Sequence, residues 1–335
     1  MKNLLAILLA LFFCCQLSAQ SPSEIKDLIQ ELPETDSLEK DIHTLWGILG
    51  EDPSTLKPHK KALTRGMNLL LSQKSSPFNV FHFALELCNE DILTIQEEAD
   101  QHIVATEVGI REFLKQDADY QTWIWDDSIY SDVRYQAGVL LDLMGHLNSK
   151  ASTQELRTSL QEFYDARLKF FAVKSLLEKG EKVQASQIHP IAAEDETREL
   201  LFDLLERHEL LTLFPKAYLT QEALARSNMV VWLIYPTELG HPPTEIELWD
   251  TINITYNDVG KTTYYLWKFR SDAEAWKEDG WMVGLSGPYV NKEMPTTRSY
   301  GYTFSQFSKL EEKSPEEHFE YIMDILNKSE EDKKE

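Results

Sequence analysis

One histidine with a carboxylate on either side is the nearest approach to a catalytic pattern in this chain. Residues 235–245 read Tyr-Pro-Thr-Glu-Leu-Gly-His-Pro-Pro-Thr-Glu, a turn-rich loop that sets Glu238 and Glu245 around His241. An imidazole beside carboxylates is the usual general base near neutral pH, and loops on a rigid sheet often carry function. In a chain with 56 acidic residues such neighbours also arise by chance, so no residue is assigned as catalytic. The chemistry these positions support better is binding. The candidate set is Tyr235, Glu238, His241, Glu245, Trp249, Trp267 and Trp281, in which Trp249 shares a polar strand face with Glu247 and Thr251 and is placed to stack on a sugar or a peptide.

Other chemistries drop out on spacing. The nine histidines stand alone, with no pair three or four residues apart, so a zinc site is not expected, nor any other metal. The segment Gly284-Leu285-Ser286-Gly287-Pro288 is one residue short of a nucleophile elbow, and its proline forbids running on into a helix. It reads as a turn at a strand end. No phosphate loop or dinucleotide fingerprint occurs, so no cofactor is expected. With 33 basic residues against 56 acidic ones and no Lys/Arg-rich run, nucleic acid is not an expected partner.

The first nineteen residues read as a cleavable export signal. Lys2 is its positive start, residues 4–13 its apolar stretch, and Ala19 the small residue before the cut. The apolar run stops at Gln16, short of a membrane span, and Leu11-Phe12-Phe13 before Cys14 departs from the small residues of a lipoprotein signal. Secretion or a periplasmic location follows, with no integral segment after cleavage and lipid anchoring the lesser alternative. Only Cys88 then remains, in an apolar helical stretch, so no internal disulfide can form.

Up to about residue 226 the apolar spacing is helical, as in Ile25, Leu28, Ile29 and Leu32 or Leu140, Leu143, Met144 and Leu147. Breaks are expected at residues 52–54, 75–77, 148–152, at Gly180 and at Pro190, with Ser37 as an N-cap. An acidic-x-Arg element recurs: Asp132 with Arg134, Asp165 with Arg167, Glu196 with Arg198. Each is followed by an apolar helix. This region, residues 119–214, resembles HEAT-type repeats, whose second helix opens on such an element. The late Gly180 and the interrupting Pro190 depart from the pattern. The resemblance implies right-handed stacked helical hairpins and a surface left free for a protein partner. The alternative is an ordinary antiparallel helical array.

After Asn228 the period shortens. Residues 229–235 read as a buried strand, and Ile246, Leu248, Ile252 and Ile254 as one face of a second. Residues 262–269 form a third, joined through the hairpin turn Asn257-Asp258-Val259-Gly260. Residues 281–285 and 300–307 complete the set, and Pro315 opens a last amphipathic helix. The expected fold is α+β: a signal peptide at 1–19, a helical array at 20–227, a small antiparallel α+β domain at 228–328, and a charged tail at 329–335. The expected function is an exported, non-catalytic binding or scaffold protein, with an extracytoplasmic hydrolase sited in the C-terminal domain as the alternative. Charge does not separate the regions, at −15 for residues 20–227 and −9 for 228–335.

Overall fold

The first helix shows how local chemistry sets the boundaries. Glu24 N–H donates to Ser21 Oγ at 3.4 Å while Ser21 N–H donates to Glu24 Oε2 at 2.7 Å, and Pro22 fills the first turn, where no donor is needed. A computed structural model describes residues 21–116, 128–234, 239–272, 276, 280–301, 303–306 and 313–331. The expected signal, Tyr235 and Glu238 lie outside them. The helices are α1 (Pro22–Glu31), α2 (Leu38–Glu51), α3 (Lys60–Leu71), α4 (Phe78–Asn89), α5 (Glu97–Gln116), α6 (Ser128–Gly145), α7 (Lys150–Glu162), α8 (Ala166–Glu178), α9 (Ala185–Ala193), α10 (Asp195–Arg207) and α11 (Gln221–Ile234). Four antiparallel strands follow in chain and spatial order, β1 (Glu245–Tyr256), β2 (Gly260–Arg270), β3 (Met282–Val290) and the short β4 (Phe304–Gln306), then helix α12 (Pro315–Glu331). The protein is α+β.

Two local expectations change. Ser37 precedes α2, but its hydroxyl donates to the Asp41 carboxylate at 3.0 Å instead of capping the backbone. Pro190 lies inside α9 without breaking it. The backbone bond it forfeits is offset by burial of Ile188, Ile191 and Ala192 in a helix only nine residues long.

The described chain divides into two compact units. One contains α1 to α5 with residues 133–159 and 178–180, and the other contains residues 160–177 and everything from 181 onward. The first unit buries an ion cluster among its helices. Arg111, 3% exposed, pairs with Glu155 and lies 3.4 Å from Glu107, whose Oε1 accepts from Ser159 at 2.7 Å. Such a cluster holds only while every member is present, because removing one leaves an uncompensated buried charge. Asn68, also buried, ties α3 to the loop before α5 through Thr94 O and the Gln96 N–H. Cys88 is buried, and desolvation pushes its thiol up to about 12.

The second unit opens on a guanidinium clamp. Arg198 Nε donates to Ala192 O at 2.8 Å and Nη2 to Ala193 O at 2.8 Å, satisfying carbonyls that the end of α9 leaves open. Its charge pairs with Asp195, which also accepts from Arg226 of α11 at 2.8 Å. The acidic partner is therefore Asp195, three residues before the arginine, and not the Glu196 of the acidic-x-Arg spacing. In the preceding copy Asp165 caps its own helix, accepting from the Leu168 N–H at 2.9 Å.

Of the strand expected at 229–235, residues 229–234 are instead the last half of α11, and Tyr235 lies outside the described residues. Ala225, Met229 and Leu233, with Val230 and Ile234, pack on the sheet residues Tyr265, Trp267, Phe269, Met282 and Tyr289. A short run that is apolar throughout carries no period of its own. The 3.6-residue face appears only when the run is read together with Leu224 and Ala225 before it.

The sheet is apolar on both sides because β1 is bulged. Leu248 pairs with Trp267 and Asp250 with Leu266, so Trp249 is one extra residue. Before it, Ile246 and Leu248 face α11; after it, Ile252, Ile254 and Tyr256 turn to the α12 side, where Tyr264, Leu266, Val283, Leu285 and Ile322 form a second core. The single face expected for Ile246 through Ile254 is thus split between two cores, since one inserted residue reverses the alternation. A second irregularity lies between β2 and β3, opposite residues 286–289. Residues 284–288 consequently run inside β3 and do not end it.

Gly287 sits there at φ 118°, where an added Cβ would lie 2.9 Å from Thr263 O and 3.3 Å from Tyr264 Cα. Both neighbours are backbone and cannot move aside. Gly287→Ala is expected to cost about 2 kcal/mol or more, read as a lower urea midpoint at unchanged m. Gly284→Ala meets the flexible end of Met229 and, at 3.4 Å, the Phe269 ring, but no backbone, and should cost less; equal losses would contradict this account.

Candidate functional site

The α12 side of the sheet is covered along part of its length. Phe319 and Met323 pack over the second core with Ile322, and the Phe319 ring stands 5.1 Å from that of Tyr264. Toward the start of β1 the composition changes to charged and aromatic. Glu245 pairs across the strands with Arg270, and Glu247 with Lys268 at 2.6 Å. The Lys268 ammonium lies 5.3 Å from the Trp281 ring and 6.0 Å from that of Trp249, and the Arg270 guanidinium 5.7 Å from Trp281. These are cation–π distances. The Arg270 hydrogen bond holds the Glu245 carboxyl below the usual range, so that pair is charged at neutral pH. Glu245 and Glu247 are about half exposed.

Three of the expected residues, Glu245, Trp249 and Trp281, therefore meet at one place, around two cations that the sequence reading did not single out. The signal for Lys268 and Arg270 was present as alternation on β2. What was missing was the cross-strand register that sets Glu245 opposite Arg270 and Glu247 opposite Lys268.

The others go elsewhere. Trp267 is buried on the α11 side and its Nε1 donates to Ser286 Oγ at 2.7 Å. That bond accounts for Ser286, which is fully buried. His241 is 8% exposed; its Nδ1 lies 2.7 Å from Pro242 O and its Nε2 3.2 Å from Ser271 Oγ. The pattern assigns the Nδ1–H tautomer, donating to the carbonyl and accepting from the serine. With Glu245 committed to Arg270, no carboxylate among the described residues serves His241 as a hydrogen-bond partner. The imidazole pins its loop.

A second cluster was not foreseen. Glu199 of α10 accepts from Asn228 Nδ2 of α11 at 3.1 and 3.2 Å, and Asn228 Oδ1 accepts from the Thr303 hydroxyl. Asp203, one turn on, accepts from Thr297 at 2.5 Å. Tyr289 of β3 is wholly buried, and its hydroxyl has no hydrogen-bond partner. Burial pushes the Glu199 carboxyl up to about 7, the Asn228 hydrogen bond opposes it, and the Asp203 charge adds to it. The result is a proton-carrying group near neutrality. Nothing local marks these residues, which come from segments up to a hundred positions apart.

Among the described residues no three or more His, Cys, Asp or Glu side chains group so as to hold a metal ion, and no helix is long and apolar enough to cross a membrane.

Because the folded Glu199 value is raised above 4.5, folding favours its neutral form. The stabilisation is full below about pH 4.5 and is lost as pH rises toward about 7. The gap corresponds to a cost on the order of 3 kcal/mol above pH 7. Glu199→Gln is expected to flatten this segment, matching wild type at pH 4 and exceeding it at pH 8, as followed by urea midpoints; parallel profiles would refute it. Comparison with protein-family models, with curated proteins and with solved structures finds no match for this chain.

Proposed function

We propose that the chain is an exported, non-catalytic binding or scaffold protein whose HEAT-like helices offer a surface to a protein partner. A ridge of rings across three helices of the first unit carries this reading. Trp46 of α2 stands 4.2 Å from His82 of α4, His82 5.4 Å from Tyr135 of α6, and Phe78 6.1 Å from Tyr135. Tyr135 is 51% exposed and its phenol hydrogen-bonds to His82, whose Nε2 lies 3.4 Å from Glu86. Burial lowers the His82 pKa, so the ridge is uncharged at its centre at neutral pH. Aromatic side chains with one polar end are the usual anchors of protein interfaces. The Arg198 clamp supports the same reading, since it joins successive helices in the way a repeat ladder requires.

The alternative, an extracytoplasmic hydrolase with its site in the C-terminal region, is supported by Glu199 and Tyr289, a near-neutral carboxyl beside a buried phenol. It requires Glu199→Gln to abolish a measured hydrolysis.

Two measurements test the proposal. Intact mass and N-terminal sequencing of the chain from its native host should begin at Gln20; a retained Met1 would remove the export claim. Affinity capture from that host's envelope fraction should retain a protein on wild type and lose it about tenfold on Tyr135→Ala, whereas equal retention by both would remove the ridge.

A further inference from the structure

Helix α12 leaves the Trp249 and Trp281 end of the sheet face with an unusual balance of charge. Two cations and two carboxylates sit among two indoles, and their formal charges cancel: Glu245 with Arg270, Glu247 with Lys268. A simple anion or cation would have to break one of these pairs to gain another, so neither is favoured. A ligand with an apolar face and many hydroxyls needs no such exchange. Its C–H face lies on an indole, and its hydroxyls donate to the carboxylates and accept from the ammonium and guanidinium.

Two further groups flank the strip with unmet hydrogen-bonding capacity. His318 of α12, 3% exposed, stands 5.3 Å from the Trp249 ring, and neither of its nitrogens has a partner. Arg270 Nε is buried beside Trp281 and likewise unpaired. Buried polar atoms without partners are rare in folded proteins, and binding sites are one place they persist.

We propose that this end of the sheet is a carbohydrate-binding face, with a neutral sugar ring stacked on Trp281 against Trp249 and its hydroxyls held by Glu247, Lys268 and Arg270. It lies in the second unit, on other residues than the aromatic ridge, so it stands or falls separately from the protein-partner reading. A peptide is the less suitable occupant. Extended peptides take backbone hydrogen bonds from a sheet edge, whereas these side chains project from a face.

The test is titration of the full mature chain with cellohexaose, laminarihexaose, xylohexaose, maltohexaose and chitohexaose, followed by tryptophan fluorescence and calorimetry. At least one sugar should bind saturably. Trp281→Ala should weaken it about tenfold or more, while Tyr135→Ala leaves it unchanged. If Trp281→Ala does not fold, Glu247→Gln, at an exposed position, should weaken the same sugar about threefold or more. Absence of binding to all five sugars, or equal affinity in the variant that folds, overturns the proposal, as does a proline-rich peptide probe that binds where no sugar does.

Discussion

Trp249 is one residue more than the β1–β2 ladder requires, and the arrangement of the second unit depends on where that extra residue goes. Without the bulge, Ile246, Leu248, Ile252, Ile254 and Tyr256 would all point toward α11, and the α12 side of β1 would carry Glu245, Glu247, Trp249, Thr251 and Asn253. Helix α12 would then meet a polar strand. With it, the first two apolar residues stay under α11 while the last three join Tyr264, Leu266, Val283 and Leu285. Burying two sides of one small sheet this way gives it two cores. The charged start of β1 lies ahead of the bulge and keeps its place on the α12 side, beside the indoles of Trp249 and Trp281.

The helical parts are held differently. Apolar stacking supplies most of the energy, as expected of antiparallel helices, but the polar groups select which helix meets which. Arg198 reaches the open carbonyls of α9 and shares Asp195 with Arg226, so one guanidinium and its carboxylate link three helices. In the first unit Lys179 does similar work, donating to Leu147 O and to Ser152 Oγ at 3.1 Å. A hydrophobic contact tolerates sliding by a turn, whereas a guanidinium on two successive carbonyls does not.

Much of the architecture was legible locally. The helices from α1 to α8, the Asn257-Asp258-Val259-Gly260 hairpin and the closing amphipathic helix each announce themselves through a period or a turn residue within a dozen positions. Residues 229–234 were misread because a run that is apolar on every side fits strand and helix alike. Pro190 was misread because its local cost is real but smaller than the burial around it. His241 has carboxylates for neighbours in sequence, yet its partners are Pro242 and, thirty positions away, Ser271.

The sequence by itself determined the α+β class, the order of the elements apart from the strand misassigned at 229–235, and the arginine at the start of α10, because these rest on interactions within one or two helical turns or one hairpin. Tertiary structure decided which residues share a face and which titratable groups lose water. Glu199 looks like any other glutamate until Asn228, Asp203 and Tyr289 arrive around it. Ile252, Ile254 and Tyr256 change sides through a single inserted residue, Trp249, in a ladder whose register is set by the partner strand. Burial and register are properties of pairs distant in the chain, and no local pattern encodes them.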